Sequence, residues 1–400
     1  MQIVVVGGGI GGLAAALGLR RAGHRVTVLE RAREIAEVGA GIGLAPNAAA
    51  ALGRLGVGHR LERTAVRPRF ATRRRWQDGS DLFVDPLADV EERYGAPFWF
   101  AHRGDLQAAL LAEAEDEPGV GEPVTVVLGA KCESVDAQTG VVLTAAGEYR
   151  ADLVIGADGI RSAVRETVFG PVTPRYSGET GYRTQVQTDA ALADPLLRDL
   201  VERNGFESWL GPNGHVVHCR FRGGREINVT ACMQAPPIST GASAAQVDRS
   251  ELMSALEGWS PVIRRLAELG GDVIRYDLFD IDPVESWVDG KVGLLGDAAH
   301  AMIPYLGQGA AQAIEDGEYL MRVFPGVDPS GVDGALKEYE RGRKERAVKV
   351  QTTSRNNAGV FHMPDGPEQE ARDARIRRGA TDANIYDWLW RLPTRGGVAA

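Results

Sequence analysis

Three glycine-bearing turns carry the strongest chemical signal in the chain. Gly7-Gly8-Gly9-Ile10-Gly11-Gly12 has GxGxxG spacing and follows the apolar run MQIVVV. Missing side chains let a backbone approach a pyrophosphate, and a helix starting there offers free N–H groups and its positive dipole end. Glu30 stands 18 residues beyond Gly12, where a carboxylate accepts hydrogen bonds from ribose hydroxyls. The second turn, Gly156-Ala157-Asp158-Gly159, follows apolar Leu153 to Ile155 and precedes a segment bearing Arg161 and Arg165. The third lies in VGLLGDAAHAMIPYLGQGAAQAIED, where a strand end delivers Asp297 and Gly307-Gln308-Gly309 opens a helix. A purely structural glycine turn is the alternative for the first motif alone; strand, helix and acid in succession point to a dinucleotide.

Proton chemistry has its best candidate in a hairpin. Asn213-Gly214 and Gly223-Gly224 are two-residue turn signals flanking a strand from His215 to Arg222. Counting back from them pairs Cys219 with Asn228, His215 with Cys232, and Val217 with Leu210 and Thr230. Alternation puts His215, Val217 and Cys219 on one face with Asn228, Thr230 and Cys232, and His218 on the other with Trp209, Val216 and Ile227. The first face is small and polar enough to cover a ligand, and a neutral histidine there accepts a proton near pH 7. An ordinary hydrogen-bonded strand histidine is the alternative for His215. Arg183, in GYRTQ, is either a bidentate partner for a substrate carboxylate or an exposed arginine. His300 is expected to be a structural neighbour of Asp297.

The elements that must hold these groups follow from periodicity. Ile3 to Val6 reads as a strand buried on both faces, Ile10 to Arg21 as a helix closed by Gly23, and Arg25 to Leu29 as the second strand of a right-handed βαβ unit. Glu207 to Gly211, His215 to Arg222 and Arg225 to Met233 are strand-length runs without intervening helices, as in an antiparallel sheet. Lys291 to Leu295 returns the chain to the first domain. The expected division is 1–72, 98–172 and 284–330 for a discontinuous nucleotide domain, 73–97 and 173–283 for a substrate domain, and 331–400 for a helical C-terminal segment. There, Trp388, Trp390 and Tyr386 are expected to pack on the body or on a partner subunit.

Composition narrows the class. The 400 residues carry a net charge of −9, which gives no footprint for nucleic acid or anionic lipid; the run Arg73 to Arg75 is expected to be a solvated face. Three scattered cysteines form neither a disulfide framework nor a metal site, and fit a reducing, cytoplasmic setting. No apolar run reaches membrane-spanning length, and no signal-peptide pattern opens the chain.

In their order and spacing the three motifs resemble those of the class A flavoprotein monooxygenases, the group of para-hydroxybenzoate, salicylate, 3-hydroxybenzoate 6- and 6-hydroxynicotinate hydroxylases. The resemblance covers nearly the whole chain and rests on GxGxxG, on Gly156, Asp158, Gly159, Ser162 and Arg165, and on GDAAH…P…GQGA. It implies a mixed α/β fold: a Rossmann-type, three-layer FAD domain, interrupted by an antiparallel substrate-covering sheet and followed by C-terminal helices. It implies that Gly7, Gly9, Gly11 and Gly12 line the FAD pyrophosphate, that Glu30 and Arg31 hold the adenosine ribose, and that Gly43 lies beside the flavin. Arg103 is implied near the phosphates, Cys132 near the adenine, and Asp158 in the second cofactor motif. Asp297 is implied on the ribityl chain, with Pro304, Gly307, Gln308, Gly309, Ala310 and Ala311 beside the isoalloxazine. Reduced flavin is an anion, and a helix opening at Gly307 to Ala311 aims N–H groups and a positive dipole end at it.

The implied activity is hydroxylation of a small phenolic or aromatic-acid substrate, with NADH or NADPH as transient reductant and O2 as oxidant, through a flavin C4a-hydroperoxide. FAD is expected to be noncovalent, because no Cys or His stands where the motifs would place a linkage. His215 occupies the position of a histidine used in salicylate-type hydroxylases, but the tyrosine four residues later is Cys219 here. His215 is therefore the candidate base, with Arg183, Cys219 and Asn228 as candidate substrate contacts. Epoxidation, or oxidation of a urate-like or polyketide ring, is the alternative chemistry on the same scaffold. A flavin-binding redox sensor is the non-enzymatic alternative, which an intact Asp297 and GQGAA disfavour. The protein is expected to be a monomer or homodimer, without metal, membrane or nucleic-acid partners.

Overall fold

The computed structural model describes residues 1–35, 41–116, 120–238, 244–379 and 383–393. Its first sheet has six strands in the order Val288–Asp289, Val292–Leu294, Leu153–Gly156, Gln2–Val6, Arg25–Glu30 and Thr125–Leu128. All run parallel except the short edge strand Val288–Asp289. Ile3 to Val6 are buried, as a wholly apolar central strand must be when both sheet faces are covered. Helices Ile10–Arg21 and Gly309–Val323 lie on one side of this core, and a three-stranded antiparallel sheet contributes Val135 and Val142 from the other.

Those two helices approach to backbone contact. A Cβ on Gly18 would fall 2.3 Å from the Gly317 carbonyl oxygen, and one on Gly11 would fall 3.0 Å from the Ala313 Cβ. Both pairs advance together along the two helices. The N-terminal ends beginning at Ile10 and Gly309 are thereby brought to the same side of the sheet, beyond its carboxyl edge, where open α/β sheets bind ligands.

The second large sheet has eight strands in the order Ala244–Val247, Val273–Asp280, Arg175–Gln187, Glu226–Gln234, Gly214–Phe221, Gly205–Gly211, Phe70–Arg75 and Asp81–Pro86. It is antiparallel except where Phe70–Arg75 runs parallel to Gly205–Gly211. That strand comes from a distant part of the chain, so no hairpin dictates its direction. Trp209, Val216, Ile227 and Val229 pack beneath helices Arg249–Ala255 and Pro261–Glu268. The opposite face, with His215, Val217, Thr230 and Cys232, is turned towards the first sheet.

Two expectations need correction. Val217 pairs with Ser208 and Leu210 with His215, because the turn is Pro212-Asn213, closed by the pair Gly211–Gly214, rather than Asn213-Gly214. Asn213 takes the positive φ of +60°. The change moves the partner by two residues, so the faces are unaltered, and the pairs of Cys219 with Asn228, His215 with Cys232 and Val217 with Thr230 are as counted. Arg73 to Arg75 is not a solvated face. Arg74 pairs with Glu207 at 2.8 Å and Asp81 at 3.0 Å, Arg75 pairs with Asp365 at 2.8 Å, and Arg73 lines an internal cavity. The run lies on the strand next to the sheet edge, where buried Glu207 and the exposed acids Asp81 and Asp365 compensate it.

The chain ends in helices Val332–Phe361, Pro367–Arg377 and Ala383–Trp390. Trp390 packs on the body, its ring 5.5 Å from Tyr94 and 5.7 Å from Phe98, and Lys349 Nζ sits 4.2 Å above Trp388. The side chain of Tyr386 and residues 394–400 lie outside the described residues. Among the described residues, no helix is long and apolar enough to cross a membrane.

Candidate active site

A cavity of about 750 Å³ lies between the carboxyl edge of the first sheet and the inner face of the second. Gly9, Gly159, Asp297 and Gly309 line its first side, so all three glycine-bearing turns converge there. In the first motif the glycines divide the work. A Cβ at Gly7 would meet Ala157 O at 2.4 Å and one at Gly12 would meet Gly7 O at 1.9 Å, whereas one at Gly9 meets nothing within 4 Å. Gly7, Gly11 and Gly12 therefore permit close packing, and Gly9 opens the loop to the cavity. Glu30 braces that loop by accepting from Gly8 N at 2.7 Å and Ala32 N at 2.8 Å, and Gln107 Nε2 donates to Gly8 O at 2.9 Å.

Other sequence candidates take separate places. Gly43 and Arg103 line the cavity, from strand Gly41–Leu44 and the first turn of helix Arg103–Glu115. Arg31 is exposed at the end of its strand. Cys132 is buried outside the lining, with its thiol pushed up to about 12 by burial. Asp158, expected against the cofactor, instead accepts from Ser162 Oγ at 2.5 Å, Ala163 N at 2.7 Å and Val164 N at 3.2 Å. It caps the helix that follows, and its neighbours Ala157 and Gly159 provide the cavity wall.

Asp297 is exposed to the cavity, while its neighbours Val292 to Gly296 and Ala298 to His300 are buried. The turn that presents it is anchored from behind. Arg165 donates to Ala298 O at 2.8 Å, and Asp316 accepts from Gly296 N at 3.0 Å and pairs with His300 Nε2 at 2.8 Å and Arg343 Nε at 2.8 Å. Burial alone would push the Asp316 carboxyl up, but His300 and Arg343 overcome it and hold it at about 2. Pro304, Gly307, Gln308, Gly309 and Ala310 line the cavity, with Ala311 fully buried behind them. Gln308 Oε1 accepts from Asn47 Nδ2 at 2.9 Å, but its buried Nε2 has no partner within the chain. A turn with an open glycine, an unpaired amide donor, a helix N-terminus and a solitary carboxylate fits a flavin dinucleotide.

The second side carries the candidate substrate groups. His215 is 4% exposed, with Tyr305 and Phe361 edge-on at 4.8 and 5.3 Å. Its Nδ1 lies 2.7 Å from His362 Nε2, and His362 Nδ1 lies 2.5 Å from Glu179 Oε1. Tyr305 OH donates to the other Glu179 oxygen. Burial first, and His362 second, push His215 well below the usual histidine range. Arg183 lies 4.6 Å above the Tyr276 ring, and its buried Nε is unpaired. Asn228 lines the cavity and also ties the sheet to the strand that carries Gly43: its Oδ1 accepts from Gly41 N at 3.1 Å and its Nδ2 donates to Thr230 at 3.2 Å. Cys219 is a correction, since it is buried against Phe100 and Phe221 outside the cavity lining. His218 faces Trp209 at 6.3 Å, and burial, followed by Arg74, pushes it down to about 3.

Sequence reasoning missed Glu179, Tyr305, His362 and Arg73. They lie on separate elements far apart in the chain, so no local pattern relates them.

The FAD binding domain family model matches residues 1–354. The chain is 40% identical over 395 residues to a 3-amino-4-hydroxybenzoate 2-monooxygenase of Streptomyces platensis, covering 97% of this chain and 95% of that protein. It is 35% identical to a 3-hydroxybenzoate 6-hydroxylase of Aquipseudomonas alcaligenes, covering 97% and 96%. A salicylate hydroxylase substrate complex aligns over 100% of this chain and 99% of its own, at 26% identity and a TM-score of 0.82. Klebsiella pneumoniae HpxO complexed with FAD and uric acid aligns over 94% and 93%, at 28% identity and a TM-score of 0.81.

Proposed function

The chain belongs to the class A FAD-dependent aromatic hydroxylases, and from that membership we propose that it hydroxylates a phenolic aromatic acid, with His215 as the base that takes the phenolic proton. It is an FAD-dependent monooxygenase of small aromatic substrates. When bound, the flavin accepts hydride from NADH or NADPH and with O2 furnishes the electrophilic oxygen.

The remaining work falls to the chain's own groups. Gly9 and the helix beginning at Ile10 receive the pyrophosphate, Asp297 the ribityl hydroxyls, and Gln308 with the helix beginning at Gly309 the electron-rich edge of the flavin ring. The apolar wall of Val217, Phe206 and Trp390 excludes water. The observation that carries the proposal is His215 itself: it lines the cavity, and His362 occupies its Nδ1, leaving Nε2 to accept a proton. Removing the phenolic proton makes the ring carbon more nucleophilic towards the incoming oxygen.

Arg183, on the same wall with an unpaired Nε, supports the carboxylate half of the assignment. By their names, the relatives act on 3-amino-4-hydroxybenzoate, 3-hydroxybenzoate and 6-hydroxynicotinate, each with one hydroxyl and one carboxylate. A purine such as the uric acid bound to HpxO is the second substrate class, favoured by that structural likeness.

The test is a screen of aminohydroxybenzoates, hydroxybenzoates, hydroxynicotinates and uric acid for stimulated NAD(P)H oxidation with a product heavier by one oxygen. With the compound that turns over, His215→Gln keeps its FAD and loses roughly 10²–10⁴-fold in hydroxylation, the usual worth of a positioned base. The ratio of product to NAD(P)H consumed falls as hydrogen peroxide appears. An unchanged rate and ratio remove His215 from the chemistry.

A further inference from the structure

We propose that His362 and Glu179 are positioning residues that hold His215 in its Nδ1–H tautomer and draw the accepted proton away from the cavity to Glu179. The proposal rests on His215 being the base and adds where the proton goes. Three distant elements meet to make the set. His215 follows Gly214 at the start of strand Gly214–Phe221, and His362 caps the helix Val332–Phe361. Glu179 follows a bulge in strand Arg175–Gln187, where register against Val273–Asp280 shifts between Tyr176 and Thr180 and Gly178 takes a φ of +88°. Bulges re-aim side chains, and this one places a carboxylate 5% exposed beneath two histidines that are 4% and 5% exposed. The His362 backbone is fixed too: its carbonyl accepts from Asn213 N at 3.1 Å, in the turn beside His215.

Hydrogen-bond logic sets the tautomers from the far end. An ionised carboxylate only accepts, so both Tyr305 OH and His362 Nδ1 must donate to Glu179. His362 Nε2 is then a lone pair, so His215 Nδ1 must carry the hydrogen of their 2.7 Å contact. His215 Nε2 is left as the acceptor, the form a base requires. With the opposite tautomer, Nε2 would donate and no proton could be taken.

The same chain answers an energetic difficulty. A charged imidazolium in this buried place is costly, and burial holds His215 well below its usual range. Three coupled shifts avoid that charge. The phenol O–H bond breaks as His215 Nε2 gains the proton; the Nδ1 proton passes to His362 Nε2; the His362 Nδ1 proton passes to Glu179 Oε1. Both rings finish neutral, one carboxylate has become an acid, one phenol has become a phenolate, and net charge is conserved. The other titratable or charged groups facing the set are Tyr305, Cys232, Tyr276 and Arg183; burial raises the first three, so they stay neutral beside it.

The test uses FAD-loaded protein. In substrate-free, 15N-histidine-labelled holoenzyme, His215 and His362 are expected as neutral Nδ1–H tautomers, and Glu179→Gln is expected to disturb His362 first. A parent His215 protonated at Nε2 overturns the proposal whatever the variants do. In turnover with 3-amino-4-hydroxybenzoate as probe, Glu179→Gln and His362→Gln are expected to keep FAD and KM and to lose roughly 10²-fold in hydroxylation at neutral pH, the low end of a base's worth. The loss should shrink as pH rises and hydroxide removes the phenolic proton, and Glu179→Asp should restore part of the rate. Loss of rate with an unchanged pH profile marks a structural role and overturns the proposal. If His215→Gln alone is impaired, the base stands and the relay fails; if His215→Gln matches the parent, the base itself fails.

Discussion

Gly9→Ala separates cofactor binding from folding. Gly9 has φ −72° and ψ 179°, which alanine adopts without strain, and its added Cβ would touch nothing within 4 Å. Replacing glycine at such a site gains about 0.4–1 kcal/mol through the unfolded state, and putting alanine at the N-cap of helix Ile10–Arg21 costs a similar amount, so urea denaturation of FAD-stripped protein should show a midpoint close to the parent's. The methyl group nevertheless projects into the cavity at the point assigned to the pyrophosphate. Losing one hydrogen bond to that anion costs about 1.5–3 kcal/mol, which is roughly ten- to hundredfold in Kd. Gly12→Ala is the contrast, because its Cβ would fall 1.9 Å from Gly7 O and must displace the helix. It should destabilise the stripped protein as well as weaken FAD. Flavin fluorescence titration beside urea denaturation reads both quantities. Parent-like FAD affinity in Gly9→Ala, or instability matching that of Gly12→Ala, would refute this division of the glycines.

Asp297→Ala should weaken FAD by one or two charged hydrogen bonds of about 1.5–3 kcal/mol each; Glu30→Ala should weaken it through the glycine loop, which becomes more open to proteolysis as Gly8 N and Ala32 N lose their acceptor. Tight FAD in both variants would contradict the placement. Asp316 predicts an acid limb. Its folded value of about 2 lies below the ordinary 3.8, so its contribution is full above about pH 4 and is lost as pH falls towards 2. Asp316→Asn should therefore cost about 3–5 kcal/mol near pH 7, where Arg343 and His300 lose a buried partner, and progressively less in acid. Denaturant midpoints measured from pH 7 down to pH 3 read this directly; a gap independent of pH would overturn it.

What the sequence disclosed was local in origin. A glycine turn between a strand and a helix carries its pattern within a dozen residues, and so Gly9, Asp297 and Gly307 to Ala310 could be singled out from sequence, and the fold brings them to one cavity. Strand faces were nearly as legible, because alternation survives a shift of two residues in a hairpin partner: Val217 was paired with Leu210 in place of Ser208, yet its face was right. Arg73 to Arg75 failed for the opposite reason. Their charge suggests water, and only the parallel pairing with Gly205–Gly211 brings Glu207 beneath them. Asp158 was harder to read, because a carboxylate in a cofactor motif has two uses, cofactor contact or cap, and its capping of the helix after Ser162 depends on backbone N–H groups that sequence does not place.

The histidine pair lay furthest from view. His215 and His362 are 147 residues apart, and His362 and Glu179 are 183 apart, so neither spacing nor periodicity relates them. Their meeting depends on a bulge that turns Glu179 inward and on a long helix that stops at Phe361. Cofactor sites on this kind of sheet are assembled from consecutive turns, which sequence records. Substrate walls are assembled from side chains on separate layers, and there the chemistry is fixed by which hydrogen-bond acceptor ends the chain. Here that acceptor is Glu179, and its contact with His362 is the ground for proposing that His215 keeps a lone pair on Nε2.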